Sequence, residues 1–310
     1  MRIGIVIPTY NNLPELRLCL AALKQQTYTD FTAYVCVDGS TDGTWEYLQQ
    51  VQLPFLRALT HPDGRNRGRN AARNLILPYL SNHEWLVFLD SDSLPLPDWL
   101  ESFIRANPTP NEALLGQIIY YAEDNPNPWA EYLRWREKVR AQREPRSPHF
   151  ITINLLIPAR AFLQVGGMDE KIRRHGLGDV ELGYRLMQAG LRFRYVAEAR
   201  VWSHVQQTPA VAVKRLYDMA QHNLAYLHQK HPLSKAELFG GEWLYHPTRR
   251  FILRMILRPW IAQRIFRWLH RWPASLRRWG MRYLVLYAVA RGFWKRKLGL
   301  PLSQRERPSP

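Results

Sequence analysis

Apolar residues in this chain fall in short unbroken runs, and the segments between them carry polar, glycine-bearing loops followed by helical spacing. Ile3-Gly4-Ile5-Val6-Ile7, Phe31 to Val37, Phe55 to Leu59 and Trp85-Leu86-Val87-Phe88-Leu89 predict buried strands, because a strand covered on both faces shows no polar alternation. Leu16, Leu20 and Leu23 predict a helix between the first two, and a further helix is expected near Asp98 to Ala106. This alternation is the rhythm of a parallel α/β sheet. Later strands are expected at Gly116 to Tyr121, at Ile151 to Ile157 with Asn154 inside it, and in two pieces at Phe193 to Val196 and Ala199 to Trp202. Between them, Pro126 to Arg146 mixes Trp129, Tyr132 and Trp135 with Arg and Glu in a helical or mobile segment of no clear motif.

The chemistry gathers where the strands end. The first run stops at Pro8-Thr9-Tyr10-Asn11-Asn12, the second at Asp38-Gly39-Ser40-Thr41-Asp42-Gly43-Thr44, and the fourth at Asp90-Ser91-Asp92 before Leu94-Pro95-Leu96-Pro97. The carboxyl edge of an open α/β sheet is where ligands bind, and two carboxylates at i and i+2 across a turn can hold a hard cation that grips a diphosphate. Asp38 is placed to accept hydrogen bonds from a base or ribose, and it is equally readable as a turn or cap residue. After the third strand, His61 to Asn74 is a basic loop entering a helix, so backbone N–H groups and the guanidinium groups of Arg69 and Arg73 can converge on an anion; Arg65 and Arg67 read equally well as solvated.

These stretches, in this order and at these separations, resemble the nucleotide-binding half of glycosyltransferase family 2, of the GT-A fold. The matching residues are Pro8-Thr9-Tyr10-Asn11, Val37 to Gly43, Gly68 with Ala72-Arg73-Asn74, and Leu89-Asp90-Ser91-Asp92. The resemblance implies that Pro8, Thr9, Tyr10, Asn11 and Asp38 line the base and ribose pocket. It further implies that Asp90 and Ser91 contact ribose or sugar, that Arg69 and Arg73 sit near the nucleotide, and that Asp92 binds a divalent metal, Mn²⁺ or Mg²⁺, bridging the phosphates. Val165-Gly166-Gly167-Met168-Asp169-Glu170 looks like the family's Gly-Gly-aromatic-Asp-Glu loop with Met168 in the aromatic position. Gly178-Asp179-Val180-Glu181-Leu182-Gly183-Tyr184-Arg185 resembles its Glu-Asp-x-Glu-Leu-Gly-x-Arg motif, which makes Asp179 the general base and leaves Gly178 where the family has Glu. Glu181 points away from Asp179 on a regular helix. His204 matches the family's metal-binding histidine, with His222 a poorer match.

Charge changes the picture only at the C-terminal end. The net charge is +17, and residues 236–310 hold 16 Lys+Arg against 3 Asp+Glu. Arg264, Arg267 and Arg271 recur on one helical face, with Ile261, Ile265, Trp268, Leu269 and Trp272 on another, and Arg277 to Lys297 repeats the pattern. Such a stretch reads as an interfacial helix on an anionic membrane, or as an appendage packing its apolar face on the catalytic domain. No nucleic-acid motif is present. Cys19 and Cys36 lack metal spacing and predict buried, unpaired residues in a reducing compartment. Ile3 to Ile7 is too short for a signal-peptide core, no run approaches the ~20 apolar residues of a spanning helix, and the tail from Pro301 has a disordered composition.

The sequence thus predicts a mostly parallel GT-A domain over residues 1–235, with a nucleotide-sugar half to about 110 and an acceptor half from about 111, and a basic helical extension over 236–310. The implied activity is inverting transfer from a nucleotide-sugar, UDP favoured, to a glycan or lipid-linked hydroxyl, on the cytoplasmic face of the cell membrane. A nucleotidyltransferase and a non-catalytic sugar- or membrane-binding scaffold are the alternatives. No nucleic-acid partner is expected.

Overall fold

The computed structural model describes residues 1–123, 126–143, 145, 150–232, 241–295 and 298–300. The chain divides into two compact units, one built from Met1–Ile119, Arg140–Arg173 and Gly178–His204, the other from Tyr120–Val139, Arg174–Leu177 and the chain from Val205 onward. The expected boundary at 235 therefore falls inside the second unit.

The first unit is organised on an eight-stranded sheet of order β3-β2-β1-β4-β7-β6-β8-β5. Its strands are β1 (Ile3–Thr9), β2 (Phe31–Val37), β3 (Leu56–Thr60), β4 (Trp85–Leu89), β5 (Ser93–Pro95), β6 (Glu112–Tyr121), β7 (Asn154–Pro158) and β8 (Arg192–His204). β3, β2, β1 and β4 pair in parallel, as the apolar runs predict, and β7 is antiparallel to β4 and β6. β1, β4 and β7 are buried along their whole length. The chain runs outward from β1 through β2 to β3 and returns to place β4 on the other side of β1. The carboxyl ends of β1 and β4 therefore flank the point where strand order reverses, which is where such sheets open a crevice.

Helices α1 (Leu13–Lys24), α2 (Thr44–Gln50), α3 (Arg69–Asn74) and α4 (Trp99–Arg105) follow these strands. α1 buries Leu16, Cys19, Leu20 and Leu23, and both cysteines are free and buried. Asn154 is fully buried and knots the sheet's far side: it accepts from Trp99 Nε1 at 2.8 Å and donates to the carbonyls of Gln117 and Ala199 at 2.9 and 2.8 Å. Three expectations shift. β6 starts at Glu112, four residues early. β7 starts at Asn154 and leaves Ile151 outside. The two pieces expected from Phe193 to Trp202 are one strand, β8, interrupted in its apolar pattern by the exposed Ala197 and Glu198.

In the second unit α5 (Pro128–Ala141) occupies the segment read as helical or mobile, although Glu144 and Arg146 of that stretch lie outside the described residues. Before the second unit's own helices, the first unit adds α6 (Ala159–Gln164) and α7 (Gly178–Gln188). Then come α8 (Pro209–Met219), a π-helical turn, α9 (Ala225–Lys230), α10 (Gly241–Tyr245), α11 (Pro247–Ile256), α12 (Pro259–Trp268) and α13 (Ala274–Phe293). α13 seats on α8 at Gly292, where a Cβ would stand 2.2 Å from the Tyr217 carbonyl oxygen. Arg277 forms a two-pronged ion pair with Glu131 of α5. No described helix is long and apolar enough to cross a membrane. Arg296, Lys297 and the tail from Pro301 lie outside the described residues.

Candidate active site

Two neighbouring loop systems stand at the crevice, and they are built differently. At the ends of β1 and β2 the polar residues bind one another. Asn11 adopts a left-handed backbone (φ 47°), accepts from Thr41 N at 2.7 Å, and receives the Ser40 hydroxyl as acceptor for its own N–H at 3.1 Å. Asp42 accepts from Leu13 N at 2.9 Å and from the Thr44 hydroxyl at 2.6 Å, so the first loop, α1 and α2 are tied together. Hydrogen bonds of this kind hold its carboxyl below the ordinary range against the opposing pull of desolvation. Asp38 is buried and accepts from Arg67 N at 2.7 Å and Gly68 N at 3.0 Å, with His61 Nε2 3.2 Å away. The loop lies so close that a Cβ on Gly39, whose φ is +70°, would stand 2.5 Å from Asn66 N. Asp38 thus spends much of its acceptor capacity on holding the 61–68 loop over the end of β2. Pro8 is a buried strand residue, whereas Thr9, also buried, keeps a hydroxyl with no hydrogen-bond partner. An orphaned hydroxyl at a strand's carboxyl end is a vacancy in hydrogen bonding that a ligand can fill. Tyr10 beside it is half-buried.

At the end of β4 the carboxylates are less engaged. Arg73, only 3% exposed, donates to Asp90 Oδ1 at 2.7 Å, so its guanidinium supports Asp90 from beneath and is not an open anion receptor. Ser91 is buried and accepts from Asn12 Nδ2 at 3.1 Å, linking the β1 and β4 loops. Asp92 makes no side-chain hydrogen bond or ion pair among the described residues. Its side chain is exposed at the mouth of the crevice, yet desolvation by the surrounding protein, and next the Asp90 carboxylate, push its carboxyl up to about 6. β5 pairs with β8 up to Ser93↔Ser203, so Asp92 and His204, the latter half-buried, are the next residues in the chain beyond that pair.

Asp179 reaches the same place from the far end of the sequence. It sits in the first turn of α7, just after Leu177, whose backbone is left-handed at φ 72°. Its carboxyl is raised, first by desolvation and last by Asp90, while a 2.9 Å hydrogen bond from Val180 N and the charges of Arg73 and Arg69 pull the other way. Asp90, Arg69, Arg73 and Asp179 are therefore within electrostatic reach of one another, and Arg69 is the exposed cation of the group. Glu181 faces inward, fully buried, and pairs with Arg185, which also donates to the carbonyls of Val165 and, at 2.7 Å, Gly167. Asn74 clasps the same loop by donating to Met168 O at 3.0 Å and accepting from Met168 N at 2.8 Å. Met168 fills the core in the aromatic's place.

The departure at Gly178 has a steric cause. Asn70 donates to the carbonyls of Asp169 at 2.8 Å and Ile172 at 3.3 Å, and this carboxamide stands where a side chain at 178 would begin: a Cβ there would lie 2.6 Å from both its Nδ2 and Oδ1. Asn70 and His61 have roles that sequence reading does not assign, and the carbonyl partners of Asn70 lie up to 102 residues away in the chain, so no local pattern marks them. Asn74 and Arg185 belong to the matched motifs, and the structure adds what each one holds.

The profile of glycosyl transferase family 2 matches residues 4–165, and that of glycosyl transferase family group 2 matches 85–294. The chain belongs to glycosyltransferase family 2. Validoxylamine A glucosyltransferase of Streptomyces hygroscopicus is 29% identical over 226 residues, covering 61% of this chain and 52% of that protein. Pre-mycofactocin glycosyltransferase of Mycobacterium tuberculosis is 30% identical over 236 residues, covering 73% and 48%. The chain thus spans about half the length of these relatives. N-acetylglucosaminyl-diphospho-decaprenol L-rhamnosyltransferase of M. tuberculosis is 28% identical over 294 residues, 84% of this chain and 90% of that one. Among solved structures, the mannosyltransferase PcManGT of Pyrobaculum calidifontis, in complex with GDP-Man and Mn²⁺, superposes with a TM-score of 0.62 at 17% identity, covering 96% of this chain and 88% of that one. At that identity the likeness establishes the shared fold.

The family's divalent metal can be tested against the residues present. No three His, Cys, Asp or Glu side chains converge as a metal cage among the described residues. Asp92, with no ion pair among the described residues and two positions from Asp90, offers with His204 at the end of β8 a partial ligand set instead. That is how Mg²⁺ is held when substrate phosphates supply the remaining oxygens, so the residues fit.

Proposed function

We propose that this chain transfers a sugar from a nucleotide-sugar to an acceptor hydroxyl in one displacement, inverting the anomeric carbon. The observation that carries the reading is that Asp179, contributed by α7, lies within electrostatic reach of the Asp90 and Arg73 pair at the end of β4. A carboxylate raised by burial, with one hydrogen bond from its own neighbour, is free to take a proton. In this reading Thr9, Tyr10 and Asp38 bind the base and ribose. Asp38 does so partly through the loop that it holds, and Asn11 acts by shaping its loop. Asp90 and Ser91 orient ribose and sugar, Arg69 offsets phosphate charge, and Arg73 holds Asp90 in place through its 2.7 Å ion pair. Mn²⁺ or Mg²⁺ held by Asp92 and His204 would offset the charge developing on the departing diphosphate.

UDP is the favoured nucleotide and a glycan or lipid-linked alcohol the favoured acceptor. A relative matched over 84% of this chain carries diphospho-decaprenol in its name. We place the enzyme on the cytoplasmic face of the cell membrane, attached through its second unit, with catalysis confined to the domain that sequence reading draws over residues 1–235.

The test is product formation from UDP-, GDP- and dTDP-sugars with and without Mn²⁺, read by mass spectrometry, with slow transfer to water as the default reaction. Metal-dependent release of a nucleoside diphosphate from one donor is expected. Pyrophosphate released from a nucleoside triphosphate would make the protein a nucleotidyltransferase. Donor binding without turnover under any acceptor would leave a scaffold.

A further inference from the structure

The second unit carries an apolar surface that its own packing does not cover. On α11, Phe251, Ile252, Met255 and Ile256 recur at i, i+1, i+4 and i+5, one stripe along the helix, and all four are exposed, Phe251 by 64% and Met255 by 51%. Leu253, between them in sequence, turns inward. The stripe is followed by Trp260 on α12, exposed by 62%, and by the exposed Trp268, Leu276 and Trp279. Single exposed hydrophobes are ordinary, whereas a contiguous set marks an interaction surface.

Part of the apolar face that the sequence marks on this stretch is taken up by internal packing. Ile265, Leu269 and Trp272 pack around Gly280 of α13, where a Cβ would lie 2.7 Å from Leu269 Cδ1 and 3.0 Å from the Trp272 ring. They form internal contacts, and Leu269 is buried. Between these packed residues and the exposed tryptophans runs an open groove of about 330 Å³, lined by Trp260, Ile261, Arg264, Ile265, Trp268 and Trp272.

Charge selects the partner. From Trp243 to Gly299 the sequence holds no Asp or Glu and 14 Lys or Arg. Several arginines are used internally: Arg277 pairs with Glu131, and Arg250 and Arg254 stack over Trp294. Arg258, Arg264, Arg267 and Arg278 are exposed and alternate along the chain with the uncovered apolar residues, and Arg264 lines the groove itself. Aromatic and aliphatic side chains interleaved with exposed cations, with no anion among them, complement one thing well: an acyl layer under anionic headgroups.

We propose that the α11 stripe, Trp260 and the Trp-lined groove of α12 form a docking face for an anionic phospholipid bilayer. The stripe and indoles enter the acyl boundary, the groove takes up a lipid chain, and Arg264 with Arg258, Arg267 and Arg278 meets the phosphates. This deepens the membrane attachment proposed above and is independent of the assignment of catalytic residues.

The experiment is sedimentation of the full chain with vesicles of phosphatidylcholine alone and of equal parts phosphatidylcholine and phosphatidylglycerol, with donor turnover measured on the same samples. Binding to the mixed vesicles, weaker by about tenfold or more on phosphatidylcholine alone, is expected, since each basic residue near an anionic surface contributes several-fold. Phe251→Ser/Met255→Ser/Trp260→Ser, all at exposed positions, should lower binding to the mixed vesicles by at least about tenfold with an unchanged melting temperature. Arg258→Gln/Arg264→Gln/Arg267→Gln should abolish the preference for the anionic vesicles. Equal binding by the apolar variant and the parent would overturn the face. So would equal binding of the parent to both vesicle types, or retention on RNA and on neither vesicle. Intact donor turnover in a chain that binds no vesicle removes this surface alone, and vesicle binding without turnover removes the catalytic reading alone.

Discussion

Aspartates at two ends of the same sheet edge have opposite fates. At the end of β2, Asp38 and Asp42 are surrounded by donors: backbone N–H groups of Arg67, Gly68 and Leu13 and the Thr44 hydroxyl. At the end of β4 and the start of α7, Asp90 has one arginine, Asp179 one backbone N–H, and Asp92 neither. The first pair holds loops in shape, and Asp42 lies below the ordinary carboxylate range. In the second set Asp92 and Asp179 lie above it. The physical lesson is that a carboxylate whose lone pairs are spent inside the protein builds the pocket, and one left short of donors beside another anion is available to a metal or a proton.

The sharpest way to break this contrast is to neutralise one member of each class. Asp179→Asn should leave donor affinity and melting temperature near those of the parent while transfer falls by about 10²- to 10⁴-fold, the usual contribution of a placed base. Asp38→Asn should do the reverse in kind, weakening donor affinity and lowering the melting temperature together, because the 61–68 loop loses its anchor. Donor titration by calorimetry beside a turnover assay separates the two. An active Asp179→Asn enzyme, or an Asp38→Asn protein with unchanged stability, would erase the distinction.

Legibility in the sequence follows the same division. The parallel strands were readable because β1, β2, β3 and β4 are apolar runs ending in turn residues, and the acidic positions fell at those ends. β6 was read short because Glu112 looks like loop, whereas its charge is answered by Arg194 at 3.3 Å. The α11 stripe has a local signal in the spacing of Phe251, Ile252, Met255 and Ile256, although the Trp and Arg alternation after Pro259 is the more conspicuous one. The partners of Asn70, Asn74 and Arg73 had no such signal. Arg73 in particular reads as an anion ligand from its helix-start position, and only the fold shows its guanidinium closed on Asp90.

A smaller effect tests the junction between the two regions, where α3 meets the helix bearing Asp179. Gly178→Glu restores the residue that the family motif has, yet it pushes a side chain into the Asn70 carboxamide and should cost about 1–3 kcal/mol, as overpacking does. Asn70→Ala alone loses two hydrogen bonds to the 169–172 loop, about 1 kcal/mol each. The double variant should be more stable than the sum of the two losses, since removing the carboxamide makes the room that Glu needs. Chemical denaturation of the four proteins gives the coupling directly, and strict additivity would mean that Asn70 is not what excludes a side chain at 178.

The smallest expected effect is a movement of the pH profile. Burial raises the Asp179 carboxyl, and a base acts only when ionised, so kcat must fall as pH drops through that raised value; the acid limb therefore lies above the ordinary aspartate range. Arg69 and Arg73 both favour the ionised form. Arg73 cannot be removed without releasing Asp90, but Arg69 is exposed and serves as the cleaner probe. Arg69→Gln should move the acid limb of kcat toward higher pH, measured at saturating donor and Mn²⁺ so that ligand binding does not contribute. The displacement should shrink as salt is added, because an exposed charge acts across solvent that screens it. A limb that moves toward lower pH would place Asp179 outside the reach of Arg69 and return the base to an unassigned group. A limb that stays put at low salt would show that Arg69 takes no part in setting the carboxyl.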